Sequence, residues 1–517
     1  MVPASKAVWV VVALTGVSAA LGFARDSVIA AMFGASHETD VFFVASVVFN
    51  ILVQIIVTGA LVPAFLPVFS EILAKEKAEE ASRVASSATN LLGMTLAAVS
   101  ITFYFTAPFW ATLIAPGFSS ENLDQVTIVL RILSPGIVFL GLAGLFAAQL
   151  NSLNHFALPA LGSGIVSLVV IIAIFVGAYR WGSIGLGVGT LAGTVLLFAV
   201  ELPLVYRRVH YKVVLDLHNP ALRRVTMLSL PLLAYLVIAQ TPTFMERSFA
   251  SHFPQGTVSW LNYAQKVTAI PNALFGSSVV VAMFPVMSKS WAMGLREEFR
   301  EHIVRGLKLS SLMVIPFSVL LPVAGMGIIG ALFERGQFRA SDTESTAYLL
   351  IAYSFGIWPA TIGAVFLRAF HAMQDMWTPL WIGLASTLAY LVLAVTLSKH
   401  LGAFGLGLSL SLTALISMLA LGSVLQVRVG FFGLSSVVLP IAKILLISVF
   451  AVGIYALMDR FAIHWINIDS SFSRVYTVLL SLTISGIFFV IECFLMKIDE
   501  VVSIVSRVVR AAKATTP

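Results

Sequence analysis

The chain has 517 residues, of which 59% are hydrophobic and only 11% are charged, and its mean hydropathy is +0.98. No soluble globular core needs that much apolar sequence, so the composition excludes a soluble domain and predicts a membrane protein. The net charge of +7 indicates basic cytoplasmic loops, because no long basic tract interleaved with aromatic residues predicts nucleic-acid binding. The single cysteine, Cys493, excludes an intramolecular disulfide and a cysteine metal cluster.

Apolar runs of about 20 residues recur along the chain, and each is long enough to cross a hydrocarbon core of about 30 Å as a helix. No alternating pattern of about ten residues suggests a β-barrel, so the sequence predicts an all-α polytopic membrane protein. We expect fourteen spans, at approximately residues 7–33, 41–70, 85–114, 124–150, 157–179, 182–206, 226–252, 257–287, 304–333, 343–370, 378–398, 402–427, 435–458 and 475–496.

The distribution of Lys and Arg among the loops predicts the orientation. The loop between Arg207 and Arg224 and the loop between Lys289 and Arg305 are basic, whereas the alternate loops at 115–123 and 253–256 contain no Lys or Arg. The positive-inside rule then puts both termini and the basic loops in the cytoplasm. Arg335 and Arg339, on the opposite side, are a minor exception.

An internal repeat divides the chain. The sequence SPGI at 134–137 recurs as SFGI at 354–357, Phe118 matches Phe338, and Pro159 matches Pro379, each 220 positions later. Six spans separate the equivalents, so the halves share one orientation, as in some transporters. We therefore expect two six-helix lobes, residues 1–220 and 221–430, and a pair of additional helices with a cytoplasmic tail in 431–517. Duplicated bundles can also be scaffolds or membrane enzymes, because fold alone does not fix function.

Six ionisable residues within the spans are candidates for binding a substrate. Intramembrane charges usually face a bundle interior or a wet cavity, and cations there would suit a phosphate-bearing substrate. Either they line a common cavity, or the adjacent acid and base of each lobe neutralise each other; neighbouring residues on a helix do not face each other, which weakens the second interpretation. The candidates are Arg25, Asp26 and Asp40 in the first lobe and Glu246, Arg247 and Lys266 near the start of the second.

Other polar residues have simpler interpretations. Arg131, Arg368 and Glu492 are within reach of span ends, where long side chains extend to the interface, and Glu201 near Pro203 is expected to be interfacial too. The polar residues around 151–155 and 371–375 predict short capped turns between helices. No nucleotide-binding loop or metal-ligand spacing is present, so we expect no cofactor and no enzymatic activity.

Several motifs together resemble the MurJ/MviN lipid II flippases of the multidrug/oligosaccharidyl-lipid/polysaccharide exporter superfamily. The resemblance covers essentially the whole chain. It rests on LGFARD at 21–26, FG at 33–34, Asp40 with FFVA at 42–45, APGF at 115–118, and QD at 374–375 with TP at 378–379.

The resemblance implies a central cationic cavity lined by spans one, two, seven and eight, through which undecaprenyl-pyrophosphate-linked peptidoglycan precursor crosses by alternating access. Arg25 and Lys266 would contact the pyrophosphate, and Asp26 and Asp40 would support or gate the site. Spans thirteen and fourteen would form a groove for the polyprenyl tail. An ion gradient or the membrane potential, rather than ATP, would drive transport.

The chain departs from the family pattern at three places. Residues 17–19 (VSA) stand where the family typically has a further arginine, residues 53–54 (VQ) replace a basic pair, and Thr58 replaces an acid. The departures leave open a flippase for another polyprenyl-linked glycan, a cation-coupled small-molecule exporter, and a cell-wall scaffold that transports nothing.

Overall fold

The computed structural model describes residues 4–56, 62–75, 78–273, 277–465, 471–496 and 498. The described residues form sixteen α-helices and one short 3₁₀ helix, Ala178–Trp181, and contain no strand. The predicted tail beyond residue 498 and the departure at Thr58 lie outside these residues. The helices are α1 (Ala4–Phe33), α2 (His37–Val53), α3 (Val62–Ala74), α4 (Ala78–Ile114), α5 (Ser120–Ser152), α6 (Ala157–Val176), α7 (Gly182–Val209), α8 (Pro220–Ala250), α9 (Thr257–Pro271), α10 (Ser277–Ala292), α11 (Arg296–Phe333), α12 (Ala340–Ala372), α13 (Trp377–Leu401), α14 (Ala403–Val429), α15 (Leu434–Trp465) and α16 (Ser471–Leu495).

The helices confirm the predicted class of an all-α polytopic membrane protein. Among the described residues, 12 helices are long and apolar enough to cross a membrane. The remaining two predicted spans fall where α8 and the pair α9 and α10 occur. Helix α2 is followed by a short π-helical turn at residues 54–56, and α9 by one at residues 272–273.

The internal repeat is visible in the helix boundaries. Helix α5 runs from Ser120 to Ser152 and α12 from Ala340 to Ala372, so both ends are displaced by 220 positions. The turns that follow them also match, because Asn154 and Gln374 both have a left-handed backbone, with φ of 61° and 59°. These are the short turns that the sequence predicts.

The chain divides into two compact units, residues 1–259 and 260–517. In the first unit α5 packs against α2, α4 and α7, while α1 packs against α6, and α8 packs against α3 and α4. The boundary at Ser259 and Trp260 differs from the repeat boundary at 220, because α8 lies with the helices of the first half. The division of the sequence at 220 and 430 stays a prediction.

The second unit repeats the central packing of the first. Helix α12 packs against α11 and α14, and α13 packs against α14. A Cβ atom on Gly356 would lie 2.7 Å from Ser411 Oγ, so α12 and α14 approach more closely than a larger residue would allow. Helices α15 and α16 pack against each other and against α11.

Glu201 differs from the expectation that it is interfacial, whereas for Arg131 and Arg368 that expectation stays a prediction. Glu201 on α7 is only 1% exposed, and its Oε2 atom has no hydrogen-bond partner among the described residues. Arg131 lies 5.5 Å from the ring centroid of Tyr104, and Arg368 lies 5.6 Å from that of Phe284. The expectation for Glu201 is wrong because its side chain is buried between helices. Each of the two arginines lies over the face of an aromatic ring.

Candidate functional site

Arg25 and Asp26 form an ion pair on α1. Arg25 donates to Asp26 Oδ1 from Nη2 at 2.7 Å and from Nε at 3.0 Å. Asp26 is buried, whereas the Arg25 side chain is 26% exposed. The interpretation that the adjacent acid and base neutralise each other holds for this pair, because the long arginine side chain curls back to the neighbouring carboxylate. Arg25 is therefore a partly neutralised cation that still reaches solvent.

Glu246 and Arg247 are a second acid and base pair, on α8. Arg247 Nη1 lies 3.9 Å from Glu246 Oε2, and both side chains are fully buried. Glu246 follows Asp26 by 220 positions, so each repeat carries its acid at the same place. Removing one member of a buried ion pair leaves the other charge buried without a partner, which costs more free energy than the pair contributes. Substituting either residue alone is therefore expected to destabilise the protein.

Lys266 lies on α9 in the second unit and is half-buried. It is the cation that the resemblance assigns to the pyrophosphate together with Arg25. Arg25, Asp26, Asp40, Glu246 and Arg247 all belong to the first unit. The structure thus collects five of the six candidates in one compact unit.

Asp40 binds the first residues of α9. Its Oδ2 accepts from the Gly256 amide at 2.6 Å, and its Oδ1 accepts from the Ser259 amide at 2.8 Å and from Ser259 Oγ at 2.6 Å. The carboxyl group is 3% exposed. The first amides of a helix lack partners within it and favour a negative charge, so Asp40 caps α9 from another helix.

Thr39, beside Asp40, extends this hydrogen-bonded group. Ser259 Oγ lies 2.8 Å from Thr39 Oγ1, and the two residues are separated by 220 positions. Equivalent hydroxyls of the two repeats therefore touch each other. Sequence reasoning singled out Asp40 but missed Thr39, Gly256 and Ser259, and the repeat spacing is the signal that could have connected Thr39 with Ser259.

A second close contact lies beside Asp40, where the loop after α4 meets the end of α8. The Gly117 amide donates to Ser251 Oγ at 3.0 Å. A Cβ atom on Gly117 would lie 2.6 Å from the Ser251 carbonyl oxygen, so only glycine permits this approach. A small cavity of about 110 Å³ remains here, lined in part by His37, Asp40 and Gln255. This polar cluster fastens the loop after α4 to the end of α8.

Residues 18, 53 and 54 lie at two of the places where the chain departs from the family pattern, and they differ in burial. Ser18 is buried, and its Oγ donates to the Ala160 carbonyl at 2.7 Å. A Cβ atom on Gly164 would lie 2.9 Å from Ser18 Oγ, so α1 and α6 are too close there for an arginine side chain. Val53 is buried and Gln54 is exposed. Ser18 is therefore tightly packed between α1 and α6.

Comparisons with known proteins extend these observations. Residues 29–476 match the model of a family described as lipid II flippase MurJ. A probable lipid II flippase MurJ of Buchnera aphidicola subsp. Acyrthosiphon pisum (strain APS) is 27% identical over 481 residues, covering 92% of this chain and 94% of the relative.

Solved structures agree with the sequence comparison. The inward closed conformation of a lipid II flippase MurJ superposes with a TM-score of 0.78 at 26% identity, covering 94% of this chain and 99% of that chain. An inward-facing multidrug-resistance MATE transporter has a TM-score of 0.66 at 12% identity, covering 81% of this chain and 94% of that one. The second likeness concerns the fold alone.

Proposed function

We propose that this chain, which belongs to the lipid II flippase MurJ family, moves lipid II from the inner to the outer leaflet of the bacterial cytoplasmic membrane. The observation that carries the proposal is the family match across residues 29–476, since it includes both repeats and the start of α16. The match to the solved flippase structure, which covers 99% of that chain, supports the same assignment. Both termini and the basic loops face the cytoplasm in this proposal.

The chemistry of the substrate explains the cations. A pyrophosphate cannot enter hydrocarbon without partners that replace its water. Arg25 remains partly exposed despite its pair with Asp26, and Lys266 is half-buried. A guanidinium offers forked hydrogen bonds to phosphate oxygens, and an ammonium offers a point charge. We assign the pyrophosphate to these two residues and a supporting role to Asp26, Glu246 and Arg247.

Asp40 supplies one gate of an alternating-access cycle. Its three hydrogen bonds hold the start of α9 in this structure. Opening that end must break them, and closing must form them again. The energy for the cycle comes from an ion gradient or the membrane potential, with a coupling ion in the first case.

Complementation of a strain depleted of its lipid II flippase tests the assignment. Wild-type protein should restore growth, and Arg25→Ala and Lys266→Ala should fail to do so at equal membrane abundance. Arg25→Lys, which keeps the charge, should rescue partially, and Arg223→Ala, at an exposed position, is the matched control. If the well-expressed wild type does not rescue, the lipid II assignment is wrong.

A flippase for another polyprenyl-linked glycan is the second candidate. Ser18 favours it, since the position where the family typically has a cation is packed against α6 here. Transport of two lipid-linked glycans in vesicles would separate the candidates. Cation-coupled transport of a small molecule, without either lipid, would indicate an exporter. Rescue by Arg25→Ala without transport would indicate a scaffold.

A further inference from the structure

A cavity of about 690 Å³ lies among α4, α5 and α7 in the first unit, away from the residues considered above. Its volume is in the range of small-molecule sites, about 300–1,000 Å³. The body of the cavity is apolar and one end is polar. The apolar lining includes Met94, Leu142, Phe146, Phe198 and Leu202, and the polar end consists of Asn90, Arg207 and Tyr211.

The segment that joins the two repeats closes the polar end. The Tyr211 hydroxyl hydrogen-bonds to Asn90 Oδ1, and Asn90 Nδ2 donates to the Val214 carbonyl at 2.9 Å. The Lys212 amide donates to Ser86 Oγ at 3.0 Å. These contacts fasten residues 211–214 across α4, so the cavity has a fixed wall at this end.

The second repeat fills the corresponding space. Leu142, Phe146 and Phe198 correspond by the shift of 220 to Ile362, Phe366 and Met418, which all belong to a buried hydrophobic cluster. The same architecture can therefore be packed without a cavity, and interiors normally are.

A different residue at one pair of corresponding positions explains in part why this space is filled in the second repeat. Leu202 corresponds to Gly422, and a Cβ atom on Gly422 would lie 2.9 Å from the Phe366 ring. The glycine lets that ring fill the space, and Phe366 also stacks against Phe432. In the first repeat Leu202 is instead 40% exposed at the edge of the cavity.

The charges at the polar end also differ between the repeats. Arg208 corresponds to Arg428, which bonds to Asp375 and, at 2.9 Å, to Thr378 Oγ1. The counterparts of these two partners are His155 and Leu158, which offer no carboxylate.

Arg207 and Arg208 form no ion pair with any residue that the structure describes. Beside them the rings of Tyr206 and Tyr211 lie 6.1 Å apart. Tyrosines are typical of the membrane interface. The first repeat therefore presents Arg207 at the polar end of the cavity, with Arg208 next to it in the sequence, and neither has a countercharge among the described residues.

We propose that this cavity binds one acyl chain of an anionic phospholipid, whose phosphate is held by Arg207 and Arg208. The apolar body excludes a small soluble anion, and the arginines select an anionic headgroup over a zwitterionic one. The mouth lies at the ends of membrane-spanning helices, where such lipids surround the protein. Because residues 211–214 form a wall, the lipid touches the segment that connects the two repeats.

Native mass spectrometry of the full-length protein in detergent tests the proposal, with dioleoylphosphatidylglycerol and dioleoylphosphatidylcholine as probes with identical chains. The wild type should prefer phosphatidylglycerol. The double variant Arg207→Gln/Arg208→Gln should lose about fivefold in affinity per arginine for that lipid only. Gly93→Leu should weaken both lipids, because the new side chain enters the cavity.

The chain offers matched controls for both substitutions. A Cβ atom on Gly93 meets only the Leu142 side chain, at 3.8 Å, so Gly93→Leu is expected to fold. Gly383→Leu places the same side chain where nothing lies within 4 Å. Arg223→Gln removes an exposed arginine near the same end. Thermal melting of each variant confirms folding before lipid is added.

Three results would overturn the proposal. Unchanged phosphatidylglycerol preference in the double arginine variant, or an equal loss in Arg223→Gln, removes the specific headgroup site. Normal lipid affinity in Gly93→Leu shows that the chain lies outside the cavity. If undecaprenyl pyrophosphate displaces phosphatidylglycerol from wild type and fails to bind Gly93→Leu, the cavity belongs to the polyprenyl tail. The readout is binding, so it is independent of the proposed transport.

Discussion

The turn between α5 and α6 and the turn between α12 and α13 share a backbone but differ in side chains. Asn154 and Gln374 have the same left-handed φ, and the amides of His155 and Asp375 bond to the carbonyls of Leu150 and Phe370. In the second repeat Asp375 neutralises Arg428, whereas the first repeat has a histidine at that place. Duplication therefore kept the helix boundaries and turns, while the chemistry at corresponding places diverged. Substituting single residues tests how much each of these differences between the repeats contributes to stability.

The largest effect is expected at Asp40, whose counterpart in the repeat is Trp260. Asp40→Ala leaves the amides of Gly256 and Ser259 without their acceptor. Losing these bonds should lower the free energy of unfolding by about 3 kcal/mol, measured as a lower melting temperature in detergent. Asp124→Ala, at an exposed position nearby, should melt like wild type. Equal melting temperatures for the two variants would contradict the proposal that Asp40 holds the start of α9 and acts as a gate.

The next effect concerns Gly117, whose counterpart is the exposed Gln337. Gly117→Ala pushes a methyl group against the backbone at Ser251, and such overpacking costs about 2 kcal/mol. Gly383→Ala is the control, because open space surrounds that position. Thermal melting of both variants measures the difference, and a Gly117→Ala protein as stable as the control would show that the loop moves aside without cost.

Glu201 offers a stabilising exchange. Its counterpart is Leu421, which is buried in the hydrophobic cluster of the second repeat. Glu201→Leu removes a buried polar group that has no hydrogen bond to Oε2 among the described residues, and we expect a gain of about 1 kcal/mol. Glu201→Gln keeps a buried polar group and should give little gain. A lower melting temperature for Glu201→Leu would show that the carboxyl group has a partner in solution.

The smallest effect is a pH dependence at Asp375. Burial raises the pKa of Asp375, but hydrogen bonds from Thr378 and the charge of Arg428 outweigh it and hold the pKa below its ordinary value of 3.8. A carboxyl whose pKa is lower in the folded state stabilises the fold fully above its unfolded pKa and loses that contribution as the pH falls.

Melting of wild type and Asp375→Asn between pH 7 and pH 3 measures this contribution. The difference between them should be a few tenths of a kcal/mol near neutral pH, because Arg428 is 42% exposed, and should shrink below about pH 4. A difference that grows as the pH falls would contradict the lowered pKa.

The helices and the repeat could be predicted from the sequence because their signals are local and strong. Long apolar runs gave the spans, and the motifs at 134–137 and 354–357 gave the shift that the ends of α5 and α12 follow. The polar turns before Pro159 and Pro379 were equally readable. Asp40 could be selected as an isolated acid at the start of an apolar run.

Contacts between distant segments could not be predicted. The neighbours of Asp40 in the sequence do not indicate its hydrogen bonds to Gly256 and Ser259, more than 200 residues away, and only the repeat spacing connects Thr39 with Ser259. The burial of Glu201 depends on which face of α7 meets its neighbours, and hydropathy does not reveal this in a helix that is apolar all round. The cavity could not be predicted either, because it depends in part on the exchange of Leu202 and Gly422.

The contact between Thr39 and Ser259 bears on the origin of the molecule. Each residue meets its own counterpart, and in a dimer of single-repeat chains the same contact would join one residue to the identical residue of the other subunit. Such a contact requires no second gene, so it could exist before the repeats were fused. Asp40 is different, since Trp260 holds the equivalent position. Fusion allowed the two copies to differ in sequence. A contact made by Asp40, which has no acidic counterpart in the other repeat, became possible only then.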